Sequence, residues 1–170
     1  MKPMPNKQRI THTRLLEVVN YDPDTGVFTN RIKRRGSKGG IGKVLGTKNG
    51  DGYIILQVDY VDYRAHVLAW FYVNGKWPES QLDHRDGVRH NNAIGNLREA
   101  TNSQNQANAK MFSTNTVGYK GVYRHRDKFR AMIHVDGKRM SLGSFTYPSQ
   151  AHEVYAEAAR KYRGEFARLS

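Results

Sequence analysis

The chain has no cysteine in its 170 residues. That excludes a disulfide framework and a structural zinc held by thiolates, so no structural zinc is expected and packing alone must hold the fold. Long apolar runs are missing too. Nothing approaches the roughly eighteen apolar residues of a membrane span, and Met1-Lys2-Pro3-Met4-Pro5 lacks the apolar core of a secretion signal. A soluble, cytoplasmic protein with no membrane partner is the expectation. Acidic side chains are scarce: 15 Asp plus Glu stand against 28 Lys plus Arg, a net charge of +13. Such a chain attracts polyanions before it recognises anything, and double-stranded DNA is the partner expected. The excess is shared, with 17 basic and 10 acidic residues in 1–110 and 11 and 5 in 111–170. A nucleotide-binding P-loop is also absent. Ser37 stands where its first Gly is required relative to Gly42-Lys43, and Val44 stands where Ser or Thr would bind magnesium.

Residues 1–12 are polar, basic and proline-containing, and read as a flexible basic arm. From Thr13, the positions Leu15, Leu16, Val18 and Val19 predict a short helix, and Asp22-Pro23-Asp24-Thr25-Gly26 a turn into a strand at 27–32. The stretch 31–49 carries seven basic residues among glycines and no acid. It reads as a loop that can lie along a phosphate backbone, with Arg34, Arg35, Lys38 and Lys43 as its DNA contacts. Two β-rich runs, 53–58 and 61–65, form a hairpin around Asp59-Tyr60, and 66–73 is apolar enough for a buried helix ended by Asn74-Gly75. His66, at the start of that helix, reads as a capping or core histidine.

The residues that can carry chemistry come next. Leu82 ends an extended segment, Asp86-Gly87 is a turn signal, and 93–100 reads as a short returning strand closed by Thr101 as a helix N-cap. Asn105 then lies one turn into the helix, facing back toward the hairpin. In this arrangement Asp83 and Asn105 offer oxygen ligands to one hard cation, Mg²⁺ with Mn²⁺ as the alternative, while His84 takes a proton from water. Asn108, three residues further along the helix, is the alternative ligand. An acid, a base and an amide so placed are equipment for hydrolysing a phosphodiester.

Asp83-His84, Asn96-Leu97-Arg98 and Asn105 resemble the ββα-metal motif of HNH endonucleases, in the phage-type homing subfamily. The likeness extends upstream through Tyr21-Asp22-Pro23, Gly52-Tyr53, 65–70 and Trp77-Pro78. It implies metal ligation by Asp83 and Asn105, His84 as general base, Asn96 as the residue that braces the hairpin, and a 5′ phosphate and 3′ hydroxyl as products. A phage-encoded enzyme of this kind works in the host cytoplasm.

Residues 111–116 read as a linker. Beyond it, 118–124, 129–135 and 139–142 predict three strands with turns at Arg126-Asp127 and Asp136-Gly137. A helix from Ser149, ended by Gly164, carries an apolar stripe at Ala151, Val154, Tyr155, Ala158, Ala159 and Tyr162. Alternation sends Phe129, Ala131, Ile133, Val135, Met140 and Leu142 toward the helix, and Arg130, Met132, His134, Arg139 and Ser141 to the opposite face. Gly121-Val122-Tyr123, 129–133, Gly137-Lys138, Leu142-Gly143-Ser144-Phe145 and 151–159 resemble the Apetala/ethylene-response-factor DNA-binding domain. The resemblance adds Lys120, Tyr123 and Arg124 to the residues that face DNA.

The fold expected is α+β: a ββα-metal nuclease domain at 13–110, followed at 117–170 by a small three-stranded antiparallel sheet packed on one helix. The function expected is a divalent-metal-dependent DNA endonuclease, acting as a monomer or a homodimer. The alternative is a sequence-specific DNA-binding regulator with a non-catalytic nuclease-like scaffold.

Overall fold

The computed structural model describes residues 9–33, 39–135 and 137–169. The DNA contacts expected at Arg34, Arg35 and Lys38, the first part of the arm and the turn residue Asp136 lie outside the described residues. The chain divides into two compact units between Glu99 and Ala100.

In the first unit, Thr11 Oγ1 accepts from the Arg14 amide and opens α1 (His12–Val18), which buries Leu15 and Val18. Val19, β-branched, leaves the helix for β1 (Val19–Tyr21), which pairs antiparallel with β2 (Phe28–Asn30). The stretch 31–49, expected to be wholly loop, carries more order than that. Val44 bridges Thr29, and β3 (Thr47–Lys48) pairs with β4 (Ile54–Val58), which pairs with β5 (Val61–Arg64). The hairpin of β4 and β5 turns on Asp59 and Tyr60, both at positive φ (46° and 65°), the backbone twist that two-residue hairpins favour.

Helix α2 (Ala65–Asn74) follows directly and stops at Gly75, whose φ of 69° lets its amide donate to the Phe71 carbonyl. Trp77 stacks on Phe71 with ring centroids 4.0 Å apart. Leu15, Val18, Phe28, Leu56, Val58, Leu68 and Phe71 are part of the core between these elements. Two short strands, β6 (Gln81–His84) and β7 (Leu97–Ala100), close a separate antiparallel pair. The returning strand begins later than expected. Residues Ile94–Asn96 form a 3₁₀ turn because the Asn96 side chain bonds to Asp86 and to the Asn91 carbonyl, drawing the chain inward before Leu97 extends.

The second unit opens with α3 (Asn102–Asn108), which carries a complete capping box: Thr101 and Gln104 bond to each other's backbone amides. β8 (Val122–His125), β9 (Lys128–Val135) and β10 (Lys138–Phe145) form an antiparallel sheet in the order β10-β9-β8. Helix α4 (Pro148–Arg163) covers one face of it. Gly121 explains the close fit: a Cβ there would lie 2.1 Å from the Tyr155 ring. Two details differ from the stripe expected. Tyr162 is exposed in the last turn, with the Lys161 ammonium over its ring, and Ala156 is buried instead. Met140 is opposite Ile133 in register, yet on the edge strand it stays 36% exposed. α3 is held within this unit by Ala107, which shares a small cluster with Ala100 and Phe166.

Candidate active site

The β6–β7 hairpin brings a charged group into an apolar setting. Asp83 is 7% exposed, His84 5% and Arg98 6%. Arg98 Nε donates to Asp83 Oδ2 at 2.9 Å, and Arg98 Nη2 stands 2.8 Å from the same oxygen. A buried ion pair of this kind fixes the carboxylate's orientation, since neither partner can leave the other without a large desolvation cost. Asp83 and Arg98 are side by side because β6 and β7 pair across the turn, with Arg85 N donating to Asn96 O at 2.8 Å.

The turn itself is a network of amide side chains. Asp86 accepts from Val88 N (2.7 Å), Asn91 Nδ2 (2.7 Å) and Asn96 Nδ2 (3.0 Å). Burial pushes the Asp86 carboxyl up, but these three bonds and the nearby His84 outweigh it and leave it below the usual carboxylate value. Asn96 also donates to Asn91 O and accepts from Asp86 N, so it ties both limbs of the turn together.

His84 sits under this network. Its Nε2 lies 3.4 Å from Asn92 Oδ1, while Asn92 Nδ2 is engaged with His90 O. Asn92 Oδ1 is an acceptor, so a proton on Nε2 would satisfy this contact. Burial lowers the His84 pKa from its ordinary value and Arg89 adds to the shift, while Asn92, Asp86 and Asp83 oppose it. The ring is therefore neutral at neutral pH, the state a proton acceptor needs. Asn92 is positioned from outside the hairpin: Tyr21 donates its hydroxyl to Asn92 O at 2.7 Å, and Ile94 N donates to Pro23 O. Gly26, at φ +72°, packs so close that a Cβ would fall 2.3 Å from the Asn92 carbonyl carbon. The N-terminal turn thus supports the loop that supports His84.

His66 lies behind, as a core histidine. Its ring centroid is 5.0 Å from that of His84 and 5.2 Å from that of Tyr53, and its Nδ1 has no hydrogen-bond partner. Burial, then the charges of His84 and Arg64, push its pKa down to about 3, so it stays neutral beside the proposed base.

No three His, Asp or Glu side chains converge among the described residues. A cation here would be held by few protein ligands, with water and amides completing its shell, as Mg²⁺ accepts. Asp83 fits that role chemically: it is a hard oxygen donor whose orientation is set by an outer partner, Arg98. Asn105 and Asn108 are on α3, in the second unit, Asn105 half-buried and Asn108 buried.

The remaining sequence-derived residues divide between the two units. Lys43 is exposed, and its carbonyl accepts from Asn30 N. In the sheet of the second unit, register aligns Tyr123 with Arg130, Met132 with Ser141 and His134 with Arg139 on the face away from α4. The Arg139 guanidinium lies 5.9 Å from the Tyr123 ring centroid on that face. Arg124 pairs with Phe129, so it belongs to the helix-side row, though it is exposed at the strand's end. Lys120 is placed otherwise than expected. Its ammonium donates to Ala107 O (3.0 Å) and Ala109 O (2.5 Å), satisfying carbonyls at the end of α3 rather than standing on the open face. Burial, with Arg163 and Arg168 nearby, lowers its pKa to about 8.

Arg98 and Asn92 are the participants that sequence reasoning left without a role. Arg98 stood next to the Asn96-Leu97 pair in the motif; its signal was a charge in a strand otherwise rich in buried positions.

Residues 63–107, from the end of β5 to α3, match the family model described as HNH endonuclease. Over 109 residues the chain is 32% identical to Protein 3.8 of Escherichia phage T7, an alignment that covers 62% of this chain and 89% of that protein.

Proposed function

The chain carries an HNH endonuclease family domain at residues 63–107 and is related to phage T7 Protein 3.8, and from that premise we propose that it hydrolyses phosphodiester bonds in double-stranded DNA. The observation that carries the reading is His84: a buried, neutral imidazole whose Nε2 faces Asn92 Oδ1, next to the carboxylate of Asp83. In the proposed reaction the neutral imidazole takes a proton from the attacking water. Asp83, with Asn105 as the second ligand the family pattern assigns, would hold a divalent cation. That cation supplies charge stabilisation at the phosphate and at the leaving 3′ oxygen when bound. Arg98 keeps the Asp83 carboxylate oriented, and Asn96 keeps the turn closed.

The second unit is proposed to hold the DNA through the Apetala-like face of its sheet, with Tyr123, Arg130, Met132, His134, Arg139 and Ser141 forming the surface. A sheet with one covered face can enter the major groove, where Arg reads base edges. One such centre per chain cuts one strand, so a monomer nicks and a homodimer cuts both.

Purified full-length protein is expected to convert supercoiled plasmid to open circle with Mg²⁺ or Mn²⁺ and to stop when EDTA is added. The nicks should be closed by DNA ligase, as a 5′ phosphate and 3′ hydroxyl require. A wild-type protein that binds the plasmid but leaves it intact with every divalent ion tried would favour a DNA-binding regulator built on a nuclease scaffold.

A further inference from the structure

Two guanidinium groups lie over one aromatic ring at the edge of the His84 site. Arg64 Cζ is 4.9 Å and Arg89 Cζ 5.2 Å from the Tyr53 ring centroid, and that ring is 6.1 Å from His84 and 5.2 Å from His66. The fold brings them there by separate routes. Tyr53 immediately precedes β4, Arg64 ends β5 at the entry to α2, and Arg89 rides the loop between β6 and β7. Arg89 is fixed further by its Nη1, which donates to Asp51 O at 2.9 Å.

The electrostatics of this group are unbalanced. Neither Arg64 nor Arg89 forms a salt bridge with a carboxylate among the described residues, whereas Arg14 pairs with Glu17 and Asp59 and Arg98 with Asp83. Both side chains are exposed. Packing two cations around one ring without a counter-charge costs free energy, and an anion brought to the same place recovers it. A guanidinium held over a ring still has several N–H donors that can bind phosphate oxygens, one of those on Arg89 being given to Asp51 O. A chance pair of solvated arginines would not be pre-oriented by a shared ring beside a buried histidine.

We propose that Arg64 and Arg89, aligned by Tyr53, form a clamp for a backbone phosphate of duplex DNA next to the one that is cut. The inference rests on the nuclease reading for its position beside the cut bond, but the clamp itself is a DNA-binding site that can be measured without cleavage. It assigns the register of the duplex at His84 to the first unit, independently of the sheet in the second.

The test uses full-length protein and a short duplex in EDTA, with affinity measured across a salt series for wild type, Arg64→Gln, Arg89→Gln, the double variant and both Arg→Lys replacements. Each lost phosphate contact should make the plot of log affinity against log salt shallower by about 0.9 and lower affinity near physiological salt about fivefold. Because both arginines grip one phosphate, the double variant should lose about that one contact's slope, each single Gln variant a part of it, and the Lys variants should keep it. Unchanged slopes in the double Gln variant would overturn the clamp, as would Lys variants that lose as much as Gln. If wild type shows the expected slopes but never nicks, the nuclease reading fails and the clamp stands. If wild type nicks and the double Gln variant matches it in both slope and KM, the clamp fails and the nuclease reading stands.

Discussion

Replacing His84 by alanine is expected to slow plasmid nicking by about 10²–10⁴-fold, the usual contribution of a positioned general base, while duplex affinity in EDTA stays close to wild type. The reasoning is local. His84 is buried against Tyr53 and His66, and its nearest charged neighbours are the carboxylates of Asp83 and Asp86 and the guanidinium of Arg89. Its ring therefore contributes little to an encounter with phosphate, while the proposed reaction uses it as the proton acceptor. Truncation also leaves a ring-sized cavity, so the folded fraction of the variant must be checked by thermal melting. Added imidazole gives a second readout: it should restore part of the lost rate by entering that cavity, as it would not for a variant that had simply unfolded. Equal loss of binding and cutting, or nicking at the wild-type rate, would remove His84 from the chemistry.

Arg98→Ala is expected to destabilise the first unit by about 3–5 kcal/mol, the range for removing one partner of a buried ion pair. Arg98 and Asp83 are both buried, and two guanidinium nitrogens approach the same carboxylate oxygen. Without the arginine, the carboxylate keeps its burial and loses this cation. A cycle with Asp83→Asn separates the pair from simple packing: the double variant should be more stable than Arg98→Ala alone. Midpoints of urea unfolding at constant slope give the comparison. A cost below about 1 kcal/mol, within the ordinary range of surface substitutions and exposed pairs, would mean that the pair does not hold the carboxylate in place.

Much of the architecture was legible because its signals are local. Asp59-Tyr60, Gly75 and Asp86-Gly87 are turn or cap residues whose backbone preferences act over a few positions, and the hairpins and helix ends fall at or beside them. The stripe Ala151, Tyr155, Ala158 and Ala159 is set by the 3.6-residue period and buries as expected. What sequence did not reveal depends on convergence across long separations. Arg98 meets Asp83 from 15 residues away, and Arg89 meets the Asp51 carbonyl from 38 residues away. Neither partner has a composition that announces the other. In 31–49, charge and glycine masked the short pairing of Thr47–Lys48 with Ile54 and Ile55. Lys120 was assigned to DNA by resemblance in position, but resemblance carried no information about the α3 carbonyls that take its ammonium.

The most direct test of the central claim is the pH dependence of nicking under single-turnover conditions with Mg²⁺. Burial holds the His84 pKa below the ordinary imidazole value of 6.5. A base must be unprotonated to act, so the rate should be level through neutral pH and fall about tenfold per pH unit once the pH drops below the lowered His84 pKa. His84→Ala should be slow throughout and lack that acid limb. A wild-type profile that shows no acid limb, or one that His84→Ala reproduces at equal rate, would contradict the account.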